Sequence, residues 1–178
     1  MQSLNEYRDL CAKQSLDEFL AGDPPAMFVH CRALDPLQGI DGTPGDTLWR
    51  LALDRDVKVT LGDAAPLAGV YSVLEVTAPD KPGADEVLLG CGESADVVID
   101  DTSVSRAHAW VELRPGGQHR LRDNASAAGT RVNDEIVEPG ESARLRSGAK
   151  VSLGAVDLLF LGPAEFYQFV RRVFAGEG

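Results

Sequence analysis

Ser105, His108 and Asp123 are the residue types of a nucleophile, a base and an orienting acid. Together they could perform acyl transfer, with His108 taking the proton of Ser105 and Asp123 holding the imidazole. Their spacing argues against it. Ser105 and His108 lie three apart on one predicted loop-to-strand segment, and neither a G-x-S-x-G elbow nor an oxyanion motif accompanies them. Metal chemistry fares no better. Cys11, Cys31 and Cys91 are odd in number and widely spaced, and His30, His108 and His119 are scattered. Zinc sites are built from closely spaced ligand pairs, so no metal is expected. Gly90-Cys91-Gly92 is too short for a dinucleotide fingerprint, and no Gly-Lys-Ser/Thr follows it. The sequence therefore predicts neither catalysis nor a cofactor, and leaves binding as the chemistry to explain.

The elements that would position these residues are short. From Glu86 to Phe160, brief apolar runs alternate with Gly, Asp, Asn and Ser punctuation. Many short strands at this spacing predict an all-β sandwich or barrel. Tyr71 to Thr77 is a further strand candidate, and Met27 to Leu34 another. Residues 35–47 read as a loop, and Leu51, Leu53, Val57, Val59 and Leu61 fall at even, strand-like spacing. At the start, Leu4, Tyr7, Leu10, Leu16, Phe19 and Leu20 recur at helical intervals behind a Ser3–Glu6 capping-box spacing. Gly22 and Pro24-Pro25 stop that helix. Pro163 suits the first position of a final helix, with Phe166, Val170, Val173 and Phe174 on one face and Arg171 and Arg172 in its last turns. That stripe must be covered by the chain itself or by a partner.

The chain has 178 residues and a net charge of −11. Such a surface repels phosphate backbones and anionic lipid, which makes nucleic acid and membranes poor partners and a basic protein a better one. The charge also serves solubility alone. The first residues carry no basic start and no apolar run, so no signal peptide is read there. No stretch approaches the ~20 apolar residues of a membrane helix. Unpaired cysteines in this pattern point to a reducing, cytoplasmic setting.

Three blocks carry a resemblance. The first is Leu89-Gly90-Cys91, four residues, then Asp96 through Ser105-Arg106-Ala107-His108-Ala109. The second runs from Leu121-Arg122-Asp123 through Ser126-Ala127-Ala128-Gly129-Thr130-Arg131-Val132-Asn133. The third is Leu145 to Phe160, with Gly148, Val151, Leu153 and Gly154. In this order they resemble the forkhead-associated (FHA) domain family, over roughly half the chain. The resemblance implies an eleven-stranded β-sandwich whose loops, at one end, bind phosphothreonine peptides. The expected organisation is an N-terminal helix-and-strand extension over 1–66, the FHA-like domain over 67–162 and a C-terminal helix over 163–178.

The resemblance also implies roles, residue by residue. The family's phosphate-gripping arginine is replaced by Cys91, and its peptide-holding asparagine by Ala128. Both positions are expected to be degenerate, with a redox-sensitive thiol as the other reading of Cys91. Ser105, Arg106 and Asn133 remain as ligand-contact candidates. Against these stand plainer readings: a serine bonded to local backbone, a solvent-facing arginine and an asparagine organising its loop. Gly90, His108, Gly129 and Thr130 are expected to brace the loops. The implied function is a non-enzymatic adaptor or scaffold that binds a protein partner with little or no need for phosphate, as FHA-like domains do in some bacterial assemblies. The alternative is a phosphothreonine reader in kinase signalling. No threonine precedes Thr43, so no phosphoswitch in the first 42 residues is expected.

Overall fold

Along residues 27–29 and 158–161 every side chain is apolar, and alternate ones enter two different cores. Phe28, Leu158 and Phe160 join one cluster. Met27, Val29, Leu159 and Leu161 join another. Successive strand side chains point to opposite faces, so a continuous apolar run is what a strand covered on both sides requires. The computed structural model, which describes residues 2–31, 71–78, 80, 81 and 83–174, shows how both faces are covered. The expected loop at 35–47, the strand spacing at 51–61 and Thr43 lie outside the described residues.

In chain order the strands are β1 (Gln2–Ser3), β2 (Met27–Cys31), β3 (Tyr71–Glu75), β4 (Glu86–Gly90), β5 (Val97–Val98) and β6 (Ala109–Glu112). They continue with β7 (Arg120–Asp123), β8 (Thr130–Val132), β9 (Glu135–Val137), β10 (Ser142–Arg144), β11 (Ala149–Leu153) and β12 (Val156–Leu161). The helices are α1 (Leu4–Lys13), α2 (Leu16–Ala21) and α3 (Pro163–Val173). A seven-stranded sheet runs β1-β3-β2-β12-β11-β8-β9, and a five-stranded sheet runs β10-β7-β6-β4-β5. Pairing is antiparallel throughout except between β4 and β5. The two sheets enclose the first core, with Val87, Leu89, Val111 and Leu121 from the smaller sheet facing Phe28, Val151 and Phe160 from the larger. The expected all-β sandwich with flanking helices is therefore observed. Twelve strands lie among the described residues, ten of them, β3 to β12, within 67–162, where the resemblance implies eleven; β1 and β5 have only two residues each.

The second core lies on the outside of the seven-stranded sheet, under the three helices. Leu4, Tyr7 and Cys11 of α1 and Phe19 of α2 meet Phe166, Phe169, Val170 and Val173 of α3 there. Pro163 opens α3, and Arg171 and Arg172 lie in its last turn, as expected. The buried stripe adds Phe169 to the expected residues, completing the i, i+3, i+4, i+7 pattern, while Phe174 is only partly buried. The helix thus packs on its own chain. The N-terminal helix differs from expectation. The helical region breaks into two: α1 starts directly after Ser3, whose backbone pairs with Ser72 in β1, and a capping box at Ser15 and Glu18 opens α2. Ser15 Oγ accepts from Glu18 N at 3.3 Å, and Glu18 Oε2 accepts from Ser15 N at 2.8 Å. Phe166 is fully buried and meets the Tyr7 ring edge-on at 5.0 Å. Phe166→Ala should cost about 3–5 kcal/mol, read as a lower urea midpoint at an unchanged slope. An unshifted midpoint would show that the second core contributes nothing.

Candidate functional site

Three loops converge on Ser105. Its carbonyl accepts from Cys91 N at 3.0 Å, tying in the loop after β4. Its Oγ accepts from Ala127 N at 3.0 Å, tying in the loop between β7 and β8. Its own N–H donates to His108 Nδ1 at 2.9 Å. The Ser105 hydroxyl donates to no group among the described residues.

His108 is the brace. It is fully buried, accepts at Nδ1, and lies 3.1 Å through Nε2 from the Gly129 carbonyl. One neutral tautomer, protonated at Nε2, satisfies both contacts. Burial depresses its basicity below the usual value, although the Gly129 carbonyl and Asp123 pull the other way. Because the folded-state value is depressed, the unfolded chain binds the proton first as pH falls. Stability should therefore decline as pH drops below about 6.5. We expect the urea midpoint to fall between about pH 7.5 and pH 5.5, and to fall less in His108→Gln. Equal losses in the two proteins would mean that His108 is not the responsible group; His119, also depressed by burial, would then account for the loss.

Beneath the loop of residues 124–129 sits Asp123, which is 2 % exposed. It accepts from Thr130 Oγ1 at 2.5 Å, Ser126 Oγ at 2.7 Å and Ser126 N at 3.1 Å. Burial alone would raise its pKa, but these donors outweigh burial and hold it below the usual carboxylate range. Ser126 Oγ in turn accepts from Gly129 N at 3.1 Å, and Gly129 has a φ of +82°, a conformation natural to glycine. On the facing loop, a methyl group on Gly90 would run into the Arg106 carbonyl, so only glycine permits this approach. The sequence offers Asp123 as a triad member and as part of the second block of the resemblance, with no structural role of its own. The signal for its actual place is the Asp-x-x-Ser spacing, at which Asp123 accepts from both the N–H and the hydroxyl of Ser126. Asp123 is hydrogen-bonded to Ser126 and Thr130, so no Ser105-His108-Asp123 relay is formed.

The remaining expected residues fall as follows. Cys91 is half-buried and packs against the sandwich core. Ala128 is exposed at the tip of its loop. Arg106 is exposed and has no side-chain partner among the described residues. Asn133 does not join this cluster. It sits at the β8–β9 turn, at the other end of β8 from Thr130, and its Oδ1 accepts from Lys150 N at 3.0 Å. Its place there is set by a φ of +51° followed by +67° at Asp134, the geometry of a tight hairpin turn. Among the described residues no group of three or more His, Cys, Asp or Glu side chains could hold a metal ion. No described helix is long and apolar enough to cross a membrane.

Known proteins resemble this chain over part of its length. The chain is 40% identical over 95 residues to the ABC transporter ATP-binding/permease protein Rv1747 of Mycobacterium tuberculosis, covering 50% of this chain and 10% of that protein. It is 43% identical over 70 residues to the glycogen accumulation regulator GarA of Mycolicibacterium smegmatis, covering 39% of this chain and 42% of GarA. The match thus spans less than half of either relative. Among solved structures, the FhaA FHA domain complexed with the intracellular domain of Rv3910 is 25% identical, with a TM-score of 0.40 over 52% of this chain and 88% of that one. The family model of the FHA domain matches residues 87–154, the segment that holds Ser105, His108, Asp123 and their loops. Residues 87–154 are therefore a forkhead-associated domain.

Proposed function

We propose that this chain is a non-enzymatic protein-interaction module, an adaptor or scaffold, whose loop end engages its partner without requiring phosphothreonine. The observation that carries the reading is the state of two loop positions. Where the FHA family places its phosphate-binding arginine, Cys91 directs a thiol against the core, and where it places its asparagine, Ala128 presents a methyl group. A charge-assisted hydrogen bond is worth about 1.5–3 kcal/mol, and a neutral thiol supplies none. The scaffold around them is nevertheless built: Ser105, His108, Asp123 and Gly129 lock the loops together. Preorganised loops lower the ordering cost of binding a protein surface. The names of two relatives, a glycogen accumulation regulator and an oxoglutarate dehydrogenase inhibitor, fit regulation by contact.

One feature favours the phosphothreonine reader instead. Arg106 is exposed without a side-chain partner among the described residues, beside a Ser105 hydroxyl free to donate. The two readings separate in one titration. Matched peptide libraries, phosphorylated and unphosphorylated at a fixed threonine, are offered to the unmodified protein. The proposal expects little preference between them. Phosphate-dependent binding that is lost in Ser105→Ala or Arg106→Ala would overturn it.

A further inference from the structure

The two outer faces of this sandwich are unlike. Helices cover the seven-stranded sheet, whereas no α-helix among the described residues packs across the five-stranded one, where Leu88 is buried but Glu86 and Arg144 are exposed. Its outward side chains form two rows. Register aligns Glu86, Glu112, Arg120 and Arg144 in one row, and Leu88, Trp110, Arg122 and Ser142 in the other. The first row is polarised, with two acids on β4 and β6 beside two bases on β7 and β10. Arg120 and Arg144 are direct cross-strand partners, a like-charge arrangement that is unfavourable when left alone. Arg120 bonds Ser142, but Arg144 is exposed and has no side-chain partner among the described residues.

We infer that this face is a self-complementary surface for a second copy of the chain. A two-fold axis parallel to the strands, running between β6 and β7, exchanges the halves of the face. It sets Glu86 of each copy over Arg144 of the other and Glu112 over Arg120. The same rotation sets Trp110 over Arg122, a cation–π arrangement. Such an isologous contact repeats every favourable pair twice. Acids on the face are already partly engaged: Arg122 lies 3.0 Å from Glu86 and 3.7 Å from Glu112, and Arg114 lies 2.7 Å from Glu112. The second copy's new contribution is the pairing of Arg144. The aligned area is small. Four strands about 4.8 Å apart and some four residues long give roughly 200–300 Å². A standard interface needs about 800 Å² from each partner, so the dimer is weak and reversible. Because the axis runs along the strands, both Ser105 loop ends emerge on the same side of the dimer.

Sedimentation velocity of the whole chain across a concentration series tests this. The sedimentation coefficient should rise with concentration at low salt. It should stop rising at about 1 M salt, where charges are screened beyond about 3 Å. Glu86→Arg and Arg144→Glu should each weaken association about tenfold or more. An equimolar mixture of the two variants should regain it, because every Glu86–Arg144 contact is then matched again. Circular dichroism confirms that each variant is folded. A monomer at every concentration would overturn the inference, as would a dimer indifferent to both substitutions. Two weakened variants that fail to rescue each other would overturn it as well.

Discussion

A fragment restricted to residues 67–162, the segment that the sequence delimits as the FHA-like domain, should not fold. It lacks β2, which pairs with β3 on one side and β12 on the other in the middle of the larger sheet. Its loss strips Phe28 from the first core and Met27 and Val29 from the second. It also lacks α1, α2 and α3, and so exposes Tyr71, Val73, Leu159 and Leu161. Each large apolar side chain is worth about 1.5–3 kcal/mol when buried. Losing the burial of seven such side chains removes roughly 10–21 kcal/mol, as much as the ~5–15 kcal/mol of a whole domain or more. Thermal unfolding followed by circular dichroism should show no cooperative transition in the fragment and a sharp one in the full chain. A cooperative melt of the fragment would show that the sandwich stands without its helical layer.

The second large effect is a gain. Cys91→Arg combined with Ala128→Asn should create a preference for phosphothreonine over threonine. One charge-assisted contact and one neutral contact supply about 2–4 kcal/mol, roughly 30- to 700-fold in affinity. Cys91 is half-exposed and Ala128 exposed, so both larger side chains have a way out to solvent. The braces that hold the loops, through His108 and Asp123, are untouched by either change. Exposed Glu93 and Asp100 on the neighbouring loop pull the gain toward the lower end. Isothermal titration with a matched peptide pair reads the result. A folded double variant with no preference would sink the idea that these two groups are what the site lacks.

The sequence displays the loop cluster better than the framework beneath it. Gly90, Ser105, His108, Gly129 and Thr130 stand at fixed offsets, and turn chemistry at fixed offsets is local. Two matters were not local. Ser3–Glu6 and Ser15–Glu18 share the same spacing, and the spacing alone does not say that the helical run from Leu4 to Leu20 divides into α1 and α2 at Ser15. The continuous apolar runs at residues 27–29 and 158–161 announce two-sided burial, but nothing near them says that they pair with each other. Asn133 shows the same limit in another form. Its neighbour Thr130 belongs to the loop cluster, but three residues of extended strand carry Asn133 about 10 Å away. Asp123 was hidden because an acid beside a serine and a histidine suggests chemistry before it suggests a buried turn.

The pairing of β2 with β12 also sets a timetable for the chain during its synthesis. Leu161 is the partner of Met27, and Phe166 is a neighbour of Tyr7. Contacts this distant along a chain close slowly, because the loop entropy must be met before they form. As residues emerge in order at about 5–20 per second, the first strands wait several seconds for their mates. During that interval β2 and β3 can pair with each other, leaving open edges and two uncovered faces. That species is the one on which a chaperone would act, and it ends only when α3 has left the ribosome.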